Sequence, residues 1–136
     1  GHPVSAAVAR ETIAIYEEED IIGHVRRVGP HMQAGLRELL GHPLVGEVRG
    51  LGLVAGVELV ADKATHEPFG KALGVGPFCN GRAEEHGLIV RAIGDTISFC
   101  PPLVISESEI DEMLARFGRA LDDTAAMLAE HGQAAE

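Results

Sequence analysis

Residues 88–102 read LIVRAIGDTISFCPP, and this stretch constrains the fold most. An apolar strand pattern over 88–93 stops at Gly94-Asp95, a second covers 96–100, and Pro101-Pro102 ends it. Two residues between two strands is the signature of a tight hairpin, so the strands pair antiparallel. A second such unit lies in residues 44–60, where β-branched residues and glycines form two strands bridged near Gly50-Leu51-Gly52. Two hairpins flanked by helical periodicity predict an α+β fold. The expected architecture is a small antiparallel sheet of three to four strands with helices packed on one face.

The helical segments follow from spacing and punctuation. Pro3 suits a first helical position, where its missing N–H costs nothing. Val4, Val8, Thr12 and Ile15 then form one stripe of a helix that runs to Glu18. Asp20 can cap a second helix, whose stripe is Ile21, Val25, Val28, Met32, Leu36 and Leu39. Pro30 should kink or split that helix, since it lacks a donor and crowds the preceding turn. Gly41-His42-Pro43 ends it. Residues 61–76 read as a polar loop and 77–86 as a short helix closed by a left-handed Gly87. Ser106 opens the last helix, with Glu109 completing a capping box. Its stripe is Ile110, Met113, Phe117, Leu121, Ala125 and Leu128, and the tail from His131 is expected to fray. The division that results is a linking helix over 1–19 and a small domain over 20–136.

Composition removes several functions. A formal net charge of −10 opposes nucleic-acid binding, because phosphates would be repelled. No apolar run approaches the roughly 20 residues that span a bilayer, so no membrane partner is expected. Cys79 and Cys100 form no CxxC and read as free thiols of a reducing, cytoplasmic compartment; Cys100 is expected in the core. The seven histidines lack ligand spacing, so no metal site is expected. Gly50, Gly52 and Gly56 give GxGxxxG, which is not the dinucleotide-binding spacing. The chain opens on Gly-His-Pro without a methionine and reads as part of a longer protein.

The chemistry concentrates on arginine. Arg91 stands in an otherwise apolar strand, where a planar guanidinium can receive a carboxylate. It cannot exchange protons near neutrality, because its pKa stays too high. The residues alone leave Arg91 open between a solvated strand residue and a ligand contact. Arg49, before the Gly50 turn, reads as a structural ion pair. Lys63 and Lys71 lie in the polar loop, where nothing desolvates them for Schiff-base chemistry. A free-standing α+β module that senses a carboxylate through Arg91 fits these features.

Three segments read together add a resemblance: GHPVSAAVA at 1–9, VGEVRGLGLVAGVELVADKAT at 45–65 and GLIVRAIGDTISFCPPLVISESEIDEM at 87–113. In order and separation they resemble the C-terminal part of class III (omega) aminotransferases, pyridoxal-phosphate enzymes of fold type I. The resemblance implies a small domain that follows a large cofactor domain. It implies a homodimeric enzyme that moves an amino group between an amine or omega-amino acid and a keto acid such as pyruvate. Aminomutases and racemases share that fold. By the same resemblance the Schiff-base lysine lies upstream, so no catalytic residue falls on this chain. A hydroxyl residue that contacts the cofactor phosphate would precede Gly1 and His2. Pyridoxal 5'-phosphate is implied for the intact enzyme, and neither cofactor nor activity for this stretch alone. Arg91 matches the arginine that grips the substrate carboxylate. Pro30 departs from the family's usual helix.

Overall fold

A computed structural model describes residues 1–133. Helix α1 covers Pro3–Glu18, with Pro3 in its first turn, and α2 covers Ile21–Glu38. Between them Asp20 turns the chain with a left-handed backbone (φ +48°), and its carboxylate accepts the Gly23 N–H at 3.2 Å. A single 3₁₀ turn, Leu39–Gly41, ends α2. Strands β1 (Val45–Leu51) and β2 (Val54–Leu59) form the first hairpin. A second 3₁₀ turn, Lys71–Leu73, leads into α3 (Val75–Glu85). Strands β3 (Arg91–Ile93) and β4 (Thr96–Phe99) form the second hairpin, and α4 (Glu107–Gln133) closes the described chain. The sheet order is β1-β2-β4-β3, antiparallel throughout.

Alternation along the strands makes the sheet one-sided. Ala55, Val57, Leu59, Ile97 and Phe99 point into the core, which α2 supplies with Val28, Met32 and Leu36. From α3 come Val75, Cys79 and Ala83, and from α4 Ile110, Met113, Phe117, Ala120 and Leu121. The rings of Phe99 and Phe117 meet edge-on with centroids 4.9 Å apart, a favoured aromatic geometry. At the start of α4 the capping box is complete. The Ser106 hydroxyl accepts from Glu109 N at 3.3 Å, and the Glu109 carboxylate takes Ser106 N at 2.8 Å. The Ser106 N–H, and after it the Ser106 hydroxyl at 2.7 Å, hold the Glu109 carboxyl below its ordinary pKa. Gly87 closes α3 at φ +78°, in the left-handed conformation expected of it.

Four expectations are corrected. Of the kink or split expected at Pro30, the split does not occur: α2, 18 residues in all, runs through it. Pro30 and Arg26, whose carbonyl loses its partner there, are both exposed, so water can meet the freed oxygen. The preceding Gly29 serves packing, since a Cβ there would meet the Gly52 Cα at 2.9 Å. Gln33, one turn on, donates to the Gly52 carbonyl at 2.9 Å, so α2 is pinned to the first hairpin turn. Second, α1 buries no residue: Val4, Val8 and Ile15 are exposed despite their helical stripe. Third, residues 88–90 carry no strand pairing, and β3 keeps three residues. Fourth, Cys100 is exposed, while Cys79 is the buried thiol. Cys100 lies just past the end of β4, on the wall of a hollow beside α4. Burial pushes the Cys79 thiol pKa up to about 11, so it is a poor nucleophile. At the other end α4 continues through His131 to Gln133, and the rest of the expected frayed tail lies outside the described residues.

Phe117→Ala should cost about 3–5 kcal/mol, the range for emptying a large core position, measurable as a shift in the denaturation midpoint. Ser106→Ala should cost about 1 kcal/mol through the lost cap.

Candidate functional site

Helices cover one face of the sheet, and the other face carries the polar chemistry. Directly paired residues on antiparallel strands point to the same side. One row across that face therefore reads Arg49, Gly56, Ser98, Arg91. The next reads Glu47, Glu58, Thr96, Ile93. The two middle residues of the first row are small, so they leave a shallow trough of about 570 Å³ over the sheet centre. Arg49 and Ile93 line its sides, with Leu51 and Val54 at one end. Leu51 is 86% exposed and Val54 60%, so this end is apolar and uncovered within the chain.

The two arginines of the row differ in what they hold. Arg49 donates to Glu47 at 2.8 Å and Glu58 at 2.7 Å, the structural ion pair expected of it. Glu58, ahead of Glu47, raises the Arg49 pKa further above its ordinary value. Glu47 and Glu58 are directly opposed across β1 and β2, so Arg49 also screens two like charges. Arg91 begins the edge strand β3, exposed, and has no hydrogen-bond or ion-pair partner for its side chain among the described residues. The other arginines in that condition, Arg10, Arg26, Arg37 and Arg119, all lie on helices. Arg91 thus couples an uncommitted guanidinium to a sheet edge, where its planar fork can receive a planar anion.

The remaining chemistry-bearing side chains do not join it. Lys63 donates to the carbonyls of Leu40 and His42, at 2.5 and 3.0 Å, and is exposed. Lys71 is exposed on the 3₁₀ turn before α3. Gly1 and His2 precede α1 and are exposed. No cluster of three or more histidine, cysteine or acidic residues fit for a metal occurs among the described residues. No helix of the described chain is long and apolar enough to cross a membrane.

Sequence reasoning missed how histidine ties α4 to its neighbours. His31 on α2 meets Asp111 at 2.6 Å, His42 meets Asp122 at 3.5 Å, and His86 meets Asp123 at 2.8 Å. Arg82 joins Asp123 at 2.8 Å and, with His86, holds its carboxyl below the usual range. Leu44 N donates to His42 Nδ1, which leaves Nε2 to carry the proton toward Asp122. Burial lowers the His42 pKa, opposed by Asp122. These partners are 37 to 80 residues apart, beyond the reach of local spacing. A second hollow, of about 300 Å³, lies between residues 87–90 and α4, with Cys100 and Arg116 on its wall.

With this geometry, residues 1–121 match the aminotransferase class-III family, and the chain belongs to it. Gamma aminobutyrate transaminase 3, chloroplastic, of Solanum lycopersicum is 45% identical over 124 residues, which are 91% of this chain and 24% of that protein. The putrescine–pyruvate aminotransferase of Pseudomonas aeruginosa is 50% identical over 127 residues, 93% of this chain and 28% of that one. The structure of the omega transaminase from Pseudomonas jessenii in complex with PMP superposes with a TM-score of 0.88 at 48% identity. That match covers 94% of this chain and 28% of the other. The chain therefore spans about a quarter of the length of these relatives.

Arg49→Met should lower stability by up to about 1 kcal/mol at neutral pH, the range for exposed ion pairs. Salt screens exposed charges, so the deficit should shrink as ionic strength rises, which urea midpoints at low and high salt would measure.

Proposed function

We propose that this chain is the carboxylate-reading part of a pyridoxal-phosphate-dependent aminotransferase. The enzyme would move an amino group between an amine or omega-amino acid and a keto acid such as pyruvate. One observation carries this reading: within a class-III match over residues 1–121, Arg91 is the strand arginine without an acidic partner. Its resemblance to the family's carboxylate-gripping arginine gives that unpaired cation a ligand.

The chemistry of the side chain fits the task. A guanidinium donates two parallel N–H bonds to one carboxylate, and stays charged at every working pH. It binds and orients; it does not move protons. In one half-reaction the keto acid brings a carboxylate, and in the other an amine donor brings none near the reacting carbon. An exposed arginine at a sheet edge can serve both by turning toward or away from the substrate.

Pyridoxal phosphate, when bound, supplies the electron sink for amino transfer. Neither lysine of this chain is placed to hold it as a Schiff base. A Schiff-base lysine needs a desolvated or electropositive pocket, whereas Lys63 and Lys71 are exposed. The cofactor lysine accordingly belongs to another part of the enzyme, and this chain's share is to bind and orient substrate.

The bare face of α1, with Val4, Val8 and Ile15 exposed, supports reading residues 1–19 as a linking helix that packs against the rest of the enzyme. The family resemblance supports a homodimer. Free Cys79 and Cys100 suit the reducing, cytoplasmic compartment expected from the sequence. With family membership established, no observation favours the free-standing regulatory module.

In the full-length enzyme, Arg91→Ala should weaken keto-acid binding by about 1.5–3 kcal/mol, the range for a hydrogen bond to a charged group. Turnover of a simple aldehyde acceptor should stay near wild type. Unchanged pyruvate kinetics in the variant would reject the assignment.

A further inference from the structure

No described residue bonds to the Arg91 side chain, so its location depends on the backbone beneath it. That backbone is a weak element. Strand β3 has three residues and pairs only with β4, through Arg91–Ser98, Ala92–Ile97 and Ile93–Thr96. A slip of one residue would turn Arg91 to the covered face of the sheet. A slip of two would carry it about 7 Å along the edge. In a hairpin this short, the turn sets the register.

That turn is anchored from two directions. Gly94 adopts φ +60°, which suits glycine at the first position of a two-residue loop. The main-chain carbonyl of Asp95 accepts the Leu59 N–H of β2 at 2.9 Å. Its carboxylate accepts the Gly76 N–H at 2.8 Å, in the first turn of α3. No side-chain cap from the residue preceding α3 competes for this end, because Gly74 stands there. The orphan donors and partial positive charge of a helix start favour a carboxylate at that point. Gly76 is fully committed to the contact, since a Cβ on it would lie 2.0 Å from the Gly94 carbonyl oxygen and 2.9 Å from the Asp95 Cα.

We propose that Asp95 is a positioning residue for substrate carboxylate recognition: by clamping the β3–β4 turn to the start of α3, it fixes the register that presents Arg91 on the open face. Asp95 touches neither substrate nor cofactor and acts only through Arg91. The inference therefore rests on the reading of Arg91 as the carboxylate receptor.

The test compares wild type, Asp95→Ala, Asp95→Asn, Gly76→Ala and Arg91→Ala in the full-length enzyme, each with pyruvate and with a carboxylate-free aldehyde as acceptor. The ratio of the two KM values, taken on one preparation, is insensitive to the fraction of folded enzyme. Asp95→Ala should raise the pyruvate KM about fivefold, the factor that follows from losing one capping bond, and leave the aldehyde KM unchanged. Asp95→Asn keeps the acceptor oxygen and should restore the wild-type ratio. Gly76→Ala, which pushes the same turn from the helix side, should reproduce the selective rise even if Asp95→Ala does not fold. A rise in pyruvate KM with Arg91→Ala but not with Asp95→Ala or Gly76→Ala would overturn the positioning role alone. Equal rises for both acceptors would also overturn it, since they would mark a general structural defect. No response to Arg91→Ala would remove the carboxylate reading itself, and the inference with it.

Discussion

Phe99 of β4 and Phe117 of α4 meet edge-on at 4.9 Å, both essentially without solvent exposure. That contact joins the sheet to the layer of helices beneath it, and the arrangement of the site depends on it. Because Phe99 points down, Ser98 before it points up. The same alternation on β2 sends Val57 into the core and Gly56 and Glu58 to the open side. Burying one face of a four-stranded sheet thus creates the other face, with its row from Arg49 to Arg91. The functional surface is the complement of the core, fixed by strand parity.

Arg49 and Arg91 illustrate two conditions of charge on one surface, one committed to structure and one proposed as a receptor. Arg49 is committed to two carboxylates on its own hairpin and neutralises them. Arg91 is given no acid by the described residues, although the chain carries 21 acidic side chains and a net charge of −10. An unpaired cation on an acidic protein, held on a sheet edge, is available for a carboxylate from outside. Family membership agrees with that use.

What the sequence disclosed follows the range of the interactions concerned. Both hairpins, the Asp20 cap, the Ser106–Glu109 capping box and the left-handed Gly87 rest on contacts within a few residues, and each was legible. The stripes of α2 and α4 were legible because they meet a core inside the chain. The stripe of α1 was legible as helix but not as exposed, since a stripe shows periodicity and burial depends on what the rest of the fold brings to it. Pro30 misled because its cost depends on whether water reaches the freed carbonyl, a matter of tertiary exposure. Cys100 departs from expectation because β4 ends at Phe99, so the burial of that strand does not extend to it. The His–Asp ties of α4 and the Asp95–Gly76 clamp join distant segments, and no spacing rule announces them. Arg91 stood out as the lone charge on an apolar strand; its lack of a partner required the fold.

The most direct test is the structure of the full-length enzyme with a bound keto acid or carboxylate-bearing analogue. A carboxylate paired with both terminal nitrogens of Arg91, at the roughly 2.7–2.9 Å of a charge-assisted hydrogen bond, is the result expected here. A carboxylate bound elsewhere, with Arg91 still in solvent or joined to an acidic residue from another part of the enzyme, would contradict it.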